Sequence, residues 1–310
     1  MLGIVILNYK EWQLTIDCVK SIRDTIGDIK YKIYIVEGGS GNDSEEKLTQ
    51  AFGGDEDVKF VILKENRGFS YGNNRGAERA IADGCTELLI TNSDVIFRDN
   101  SIQEMINTLA TEEKCALVAP LVYNRDGISL QTTDIQVKHA NWLKMFISES
   151  RAKELSFFAS VKKSIFKEIE AVKDTTEIFW FSGCCFIVDS KSFEGVGMFD
   201  EEIFLYYEEA ILSEKFNEKQ FKMMFEPKSQ IIHLWRGSSG SIKDVQMRLI
   251  AVKSRIVFYS KYKKIPHIIM RFLVYLMLLL IKGRSLSWDE FKNQNKKNLL
   301  DISETLKNYG

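Results

Sequence analysis

Five polar clusters in this chain carry residue types that could do chemistry. Asn92-Ser93-Asp94 closes an apolar run. An acid just past a hydrophobic strand can hold a divalent cation, and that cation a diphosphate. Asp and Ser also cap helices at such points, so both readings stand. Glu37 ends another apolar run. It can accept hydrogen bonds from a nucleotide base or ribose, or sit in a loop as a solvated acid, and the Gly38-Gly39 pair after it leaves room for a ligand. Residues 66–76, Asn-Arg-Gly-Phe-Ser-Tyr-Gly-Asn-Asn-Arg-Gly, hold three glycines and three asparagines. A glycine-rich loop at a helix start can approach phosphate or ribose closely, whereas a plain flexible turn has no use for Phe69 and Tyr71. Glu208 and Glu209 follow Leu205-Tyr206-Tyr207. Successive side chains on a helix diverge by about 100°, so one acid faces a cleft while the other braces the structure or meets water. A carboxylate beside tyrosines suits a general base; a solvated helix start favoured by the dipole is the plainer alternative. His233, one of three histidines, ends a short apolar run before Arg236-Gly237-Ser238-Ser239-Gly240-Ser241. Imidazole suits a metal and the loop suits phosphate, against the reading of a hydrogen-bonded structural histidine.

The elements that must position these residues are legible in the first hundred positions. Ile4–Leu7 is an apolar run suited to a strand buried on both faces. Trp12, Ile16, Val19, Ile22 and Ile26 mark one helix face. Tyr31–Val36, Val58–Leu63 and Glu87–Thr91 read as strands, and Asp43 or Ser44 as a helix cap. The 66–76 segment leads into a helix ending near Ala82. Strands alternating with helices imply a parallel sheet, whose ligands bind beyond the carboxyl ends of the strands. Asn8-Tyr9, Glu37–Asn42 and Asn92–Asp94 all lie at such ends.

Beyond residue 136 the pattern is less regular. Val137–Lys173 is charged and is expected to be helical; Ile178–Val188 is apolar around Ser182-Gly183; Phe221–Phe225 and Gln230–His233 read as two short strands; helix periodicity runs from Ile242 to the end. Ile265–Ile281 is apolar but carries His267 and Arg271, and its uninterrupted part, Phe272–Ile281, is too short for the ~20 residues of a spanning helix.

Composition narrows the class. With 45% hydrophobic and 12% aromatic residues the chain can build a substantial core. Lys+Arg 42 against Asp+Glu 43 argues against a dedicated nucleic-acid binder. Cys18, Cys85, Cys115, Cys184 and Cys185 form no C-x-x-C and are expected to be buried free thiols in a reducing compartment, not a zinc site. The N-terminal segment has no basic region or cleavage signature of a signal peptide.

Taken in order, Val5-Ile6-Leu7-Asn8-Tyr9, Val36-Glu37-Gly38-Gly39-Ser40, Asn66-Arg67-Gly68-Phe69, Leu89–Val95, Phe181–Cys185, Val196–Glu201, Phe204–Glu209 and His233 strongly resemble the family 2 glycosyltransferases of GT-A fold, especially the rhamnosyltransferase-like branch. The resemblance covers roughly residues 3–241. It implies an α/β chain with a mixed, mostly parallel central sheet in a domain at 1–241, and a C-terminal helical extension at 242–310. Asn92-Ser93-Asp94 matches the family's D-x-D-type element, with Asp94 a ligand of Mg²⁺ or Mn²⁺ and His233 near the metal and diphosphate. Glu37 matches the aspartate that contacts the nucleotide; Asn8, Tyr9, Gly39, Asn66, Gly68, Phe69, Asn73, Asn92 and Ser93 complete the implied donor site. Glu209 matches the catalytic base, with Ser182, Gly183, Tyr207 and Glu208 on the acceptor side. The chain departs from the family pattern at Glu37 and Gly38, where aspartate and asparagine are commoner, at Glu209, one methylene longer than the usual aspartate, and at Ile211, where an acid often stands.

The implied reaction is an inverting, metal-dependent transfer of a sugar, rhamnose being one candidate, from a dTDP- or UDP-linked donor to a saccharide or lipid-linked saccharide. The implied setting is cytoplasmic synthesis of cell-surface polysaccharide. Lys261, Lys263, Lys264, Arg271, Lys282 and Arg284 flank or interrupt the apolar C-terminal stretch. They fit a helix at the cytoplasmic face of a membrane, and a core or homodimer helix fits equally. Two alternatives keep the fold and change the role: a nucleotidyltransferase, for which Asn8-Tyr9-Lys10-Glu11-Trp12 is a poor phosphate loop, and a non-catalytic binding protein. No nucleic-acid partner is expected.

Overall fold

The computed structural model describes residues 1–131, 134–138, 143, 166–234, 244–282 and 287–309. Its first half alternates β1 (Leu2–Asn8), α1 (Trp12–Thr25), β2 (Tyr31–Glu37), α2 (Ser44–Phe52), β3 (Val58–Ile62), α3 (Phe69–Ala82) and β4 (Glu87–Asn92). There follow β5 (Val95–Phe97), α4 (Ser101–Thr111), β6 (Cys115–Tyr123), β7 (Asp134–Gln136), β8 (Phe166–Glu168), β9 (Thr176–Ile178), β10 (Cys185–Asp189), α5 (Ser190–Gly195), α6 (Glu208–Glu218) and β11 (Lys222–His233). The C-terminal helices are α7 (Asp244–Val257), α8 (His267–Lys282), α9 (Trp288–Gln294) and α10 (Lys296–Asn308). The main sheet runs β3-β2-β1-β4-β10-β6-β11-β5, with β9 on β11. Strands β1 to β4 pair in parallel, as do β6 and β11, while β10, β5 and β9 run against their neighbours.

The apolar runs are continuous because both faces of the sheet are covered. Ile4 and Ile6 pack with Cys18, Val19 and Ile22 of α1 and with Leu48 of α2. Val5 packs on the other face with Ala77 and Ala80 of α3. Helix α3 comes close because it has no side chain at Gly76, where a Cβ would lie 2.4 Å from Val5 Cγ1 and 2.7 Å from Val36 Cγ2. Much of the glycine content of 66–76 therefore serves helix–sheet approach.

Two expectations change. The runs at 221–225 and 230–233 are one strand, β11, with register irregularities between Lys222 and Met223 and between Glu226 and Gln230. Pro227, which lacks an N–H for the ladder, sits in the second of these. Within the 137–173 stretch, 166–168 is a strand paired with β7, followed by a 3₁₀ turn at Ile169–Ala171. Residues 139–142 and 144–165, and the loop at 236–241, lie outside the described residues.

A third core joins Ile203, Tyr207, Ala210 and Ile211 to α7–α10 through Leu249, Val252, Ile256, Met270, Leu273, Val274, Met277, Phe291 and Ile302. Each large apolar side chain buried here contributes roughly 1.5–3 kcal/mol, so the extension is packed against the segment that carries Glu208 and Glu209. The five cysteines are free.

Candidate active site

The carboxyl ends of β1, β2 and β4 open into a cleft of about 740 Å³. Its lining includes Tyr9, Asn66, Gly68, Phe69, Asn92, Ser93, Asp94, Ser182, Gly183, Glu208, Glu209 and His233. Thus twelve of the residues singled out in the sequence share one cavity.

Strand pairing brings two distant parts of the chain together here. β5 and β11 pair antiparallel with His233 opposite Val95, and Leu234 N donates to Asp94 O at 2.9 Å. His233 Nε2 consequently lies 3.1 Å from Asp94 Oδ1, both groups buried. Gln131 Oε1 lies 2.8 Å from His233 Nδ1. In the tautomer whose Nδ1–H donates to that oxygen, the Nε2 lone pair faces a carboxylate oxygen. Two acceptors at that separation repel unless a proton or a cation lies between them.

Among the described residues no group of three His, Cys, Asp or Glu comes together as a metal cage. Mg²⁺ and Mn²⁺ need none, since one or two protein groups plus substrate phosphate oxygens suffice. A carboxylate and an imidazole oriented from behind by an amide fit such an ion. Lys10 and Arg67 add positive charge to the lining, suited to an anionic ligand.

Glu209 stands in the first turn of α6. A Cβ added at Gly183 would lie 3.8 Å from Glu209 Oε2, so the glycine leaves open space beside this carboxylate. Its neighbour Glu208 is 7% exposed, and Oε2 is buried with no hydrogen-bond partner. Burial, and then the charge of Glu209, push the Glu208 carboxyl well above the usual range. Adjacent acids thus sit in different environments, as the angular divergence along a helix requires. Cys184 also lines the cleft, but burial first, opposed by its bond from Ser182 and helped by the nearby carboxylates, pushes its thiol up to about 12. It stays a neutral thiol and is no nucleophile at physiological pH.

The bend before α6 is held from outside. Tyr206 and Tyr207 both adopt left-handed backbone, φ 71° and 70°, a conformation that costs non-glycine residues of order 1–3 kcal/mol each. Ser254 Oγ donates to Leu205 O at 2.8 Å and Arg255 Nε to Tyr207 Oη at 2.8 Å, both from α7. From the other side, Phe69 N donates to Phe204 O at 2.8 Å, where Gly68 has no Cβ to obstruct it. Asn74 brackets Phe199, its Nδ2 donating to the carbonyl at 3.0 Å and its Oδ1 accepting from the amide at 3.1 Å.

Five expected site residues do not line the cleft. Asn8 is buried, donating to Glu37 Oε2 at 2.5 Å and accepting from Thr15 at 2.9 Å. Glu37 accepts from Asn8 and, through Oε1, from Ser40 N at 2.7 Å, so both carboxylate oxygens serve to shape the β1 and β2 ends. Gly39, at φ +70°, packs on the Glu65 backbone. Asn73 is buried in α3 and donates to Phe69 O. Tyr207 packs against Phe258, Tyr259 and Trp180 in the third core, and Tyr206 takes the place in the cleft. Gln131 was missed, and Lys10, Arg67 and Phe204 were quoted only inside longer motifs, with no role in the site. A cation just past a strand end was a usable signal for Lys10; a glutamine in a polar run carries none.

The model of the family described as glycosyl transferase family 2 matches residues 3–197. The chain belongs to this family. The match ends before Glu208, Glu209 and His233, which the fold brings to the same cleft. The low-salt glycan biosynthesis hexosyltransferase Agl10 of Haloferax volcanii is 24% identical over 217 residues, covering 67% of this chain. The aligned part spans 59% of that relative's length. Among solved structures, GalNAc-T7 with UDP, GalNAc and Mn²⁺ superposes at TM-score 0.61 with 14% identity, covering 96% of this chain and 54% of the other. The mannosyltransferase PcManGT of Pyrobaculum calidifontis, in complex with GDP-Man and Mn²⁺, superposes at 0.57 with 11% identity, covering 99% and 82%. TarS of S. aureus with UDP gives 0.53 at 10% identity, covering 98% and 80%. Such likenesses establish the fold, which is of the GT-A type.

Proposed function

We propose that this family 2 member transfers a hexosyl group from a nucleoside-diphosphate donor to a hydroxyl of a saccharide or lipid-linked saccharide, with inversion. The observation that carries this reading is the meeting of the Asp94–His233 pair and Glu209 in one cleft at the carboxyl ends of a parallel sheet. The donor diphosphate lies toward Asp94, His233, Lys10 and Arg67. Asp94 and His233 would hold Mg²⁺ or Mn²⁺, which would neutralise charge developing on the leaving diphosphate. The imidazole favours Mn²⁺, since Mg²⁺ prefers oxygen ligands alone.

Glu209 accepts the proton of the acceptor hydroxyl. The acceptor oxygen forms its bond to the anomeric carbon as the bond from that carbon to the diphosphate oxygen breaks. The nucleoside diphosphate leaves with the electron pair. One displacement from the opposite face inverts the anomeric centre, and the proton remains on Glu209 until it is lost to solvent. Gly183 leaves room for the acceptor beside Glu209, and Phe204, Leu205 and Tyr206 wall that side.

Support for a hexose comes from the relative's name, and for rhamnose only from the resemblance to one branch of the family. A melting-temperature panel of nucleotide sugars, with and without Mn²⁺, separates the candidates, because a ligand of the native state raises apparent stability. A Mn²⁺-dependent rise with one sugar series is expected. No rise with any nucleotide, in folded protein, would assign the chain to a binding role without transfer.

A further inference from the structure

Helix α8 is apolar on two faces, and the fold covers only one. Met270, Leu273, Val274 and Met277 are buried in the third core. Opposite them Ile268, Phe272 and Leu280 are 75%, 60% and 72% exposed, joined by Tyr275 and Leu276. Positions 268, 272, 276 and 280 recur every four residues and form one stripe along the helix. A continuous exposed apolar stripe of this kind marks an interaction surface.

Charge selects the partner. The 44 residues from Val245 to Trp288 contain no Asp or Glu and carry nine Lys and Arg, of which Lys261 and Lys263 are paired with Asp200, Glu202 and Glu214 of neighbouring elements. On α8 itself, Arg271 is exposed, and Lys282, three turns on, returns to the same edge of the stripe. Tyr275 stacks on Trp288 with centroids 6.3 Å apart, and Lys282 Nζ lies 5.7 Å from the Trp288 ring. Tyrosine, tryptophan and cations along one edge of an apolar stripe suit the boundary between acyl chains and headgroups. A second copy of the chain meeting this face about a two-fold axis would bring the like charges of α8 together; the carboxylates nearest them, Asp289 and Glu290, stand outside the stripe in the first turn of α9. Among the described residues no helix is long and apolar enough to cross a membrane. The 16 residues of α8 span about 24 Å.

We infer that the outer face of α8 seats the protein on an anionic lipid surface, with Ile268, Phe272 and Leu280 dipping below the headgroups and Arg271 and Lys282 among them. Attraction of cations to such a surface amounts to about fivefold in affinity per Lys or Arg.

The test is co-sedimentation of the full chain with phosphatidylcholine vesicles, with and without phosphatidylglycerol, at low and high salt. The protein is expected to pellet with the anionic vesicles at low salt and to be released by salt. Arg271→Ala and Lys282→Ala should each weaken partitioning about fivefold. The triple change Ile268→Ser, Phe272→Ser, Leu280→Ser should weaken it at least about tenfold without lowering the melting temperature, since these side chains face solvent. Protein that stays in the supernatant with both vesicles overturns the inference. So does a concentration-dependent dimer, seen by sedimentation equilibrium and dissociated by Phe272→Ser, in protein that ignores vesicles; the face would then belong to a second copy. This readout is independent of transferase activity.

Discussion

Gly68→Ala puts one methyl where the fold joins its two halves. The residue sits at φ +99° and ψ 176°, a region essentially restricted to glycine, where any other residue costs of order 1–3 kcal/mol. The new Cβ would lie 2.2 Å from Phe204 O and 2.6 Å from Phe204 Cα. These are backbone atoms, so no rotamer change relieves the contact. The 204–207 bend must withdraw, weakening the bond from Phe69 N to Phe204 O, a further loss of about 1 kcal/mol. The melting temperature should fall by roughly 2–4 °C per kcal/mol lost. The larger effect is on chemistry: the bend leads directly into Glu209, and a displacement of about 1 Å near reacting groups can cost about 10²-fold in rate. Initial-rate measurements of sugar transfer, with donor affinity followed by thermal shift, read the two separately. Donor affinity should change by a few-fold at most and turnover by about 10²-fold. Gly54→Ala, where a Cβ meets nothing within 4 Å, is the control and should be neutral. Wild-type turnover and stability in Gly68→Ala would refute the claim that this contact positions the acceptor wall.

Three further outcomes are expected. Gln131→Leu removes the oxygen that orients His233, and Mn²⁺-dependent donor binding should weaken about 10–100-fold, measured by Mn²⁺ titration of the thermal shift. Glu208→Gln should keep transfer and raise stability at neutral pH. The folded-state pKa of Glu208 is raised, so its penalty is absent below the unfolded pKa and grows as pH rises toward the folded one; urea denaturation at pH 4 and pH 7 (about the unperturbed glutamate pKa and well above it) should show the gain only at the higher pH. Asp200 has the opposite sign. Burial would raise its pKa, but hydrogen bonds from Lys261 and Tyr262 outweigh it and hold the carboxyl below its usual value. Its stabilisation is therefore present above the unfolded pKa and lost as pH falls through the folded one, and Asp200→Asn should flatten the acid limb of the stability curve.

The parallel half of the fold was readable because β1, β2 and β4 are buried on both faces and stand in the sequence as unbroken apolar runs, so their polar ends were readable too. Asn92 and Asp94 were placed at such an end by that pattern, and the role of Asp94 rested on the family resemblance. The partnership of Asp94 with His233 was implied only by the family resemblance; periodicity could not show it, because a strand register across 139 residues creates it. Glu37 and Asn8 looked like ligand contacts, yet they satisfy one another, as buried polar groups at a strand end must. In the 66–76 segment the glycines were legible as special, but not that Gly76 serves close packing on Val5 while Gly68 meets Phe204. Tyr206 and Tyr207 exchanged places because two successive left-handed residues turn the chain in a way no periodicity reveals. The depth at which α8 is half-covered likewise depends on a core shared with residues 203–211.

The measurement that bears most directly on the proposed role of Glu209 is sugar transfer by Glu209→Gln, with Mn²⁺-dependent donor binding measured on the same preparation. Removal of a general base should lower turnover by about 10²–10⁴-fold, while the donor, assigned in the proposal to Asp94, His233, Lys10 and Arg67, should bind as it does to the unsubstituted protein. Transfer at the native rate would contradict the assignment of Glu209 as the base.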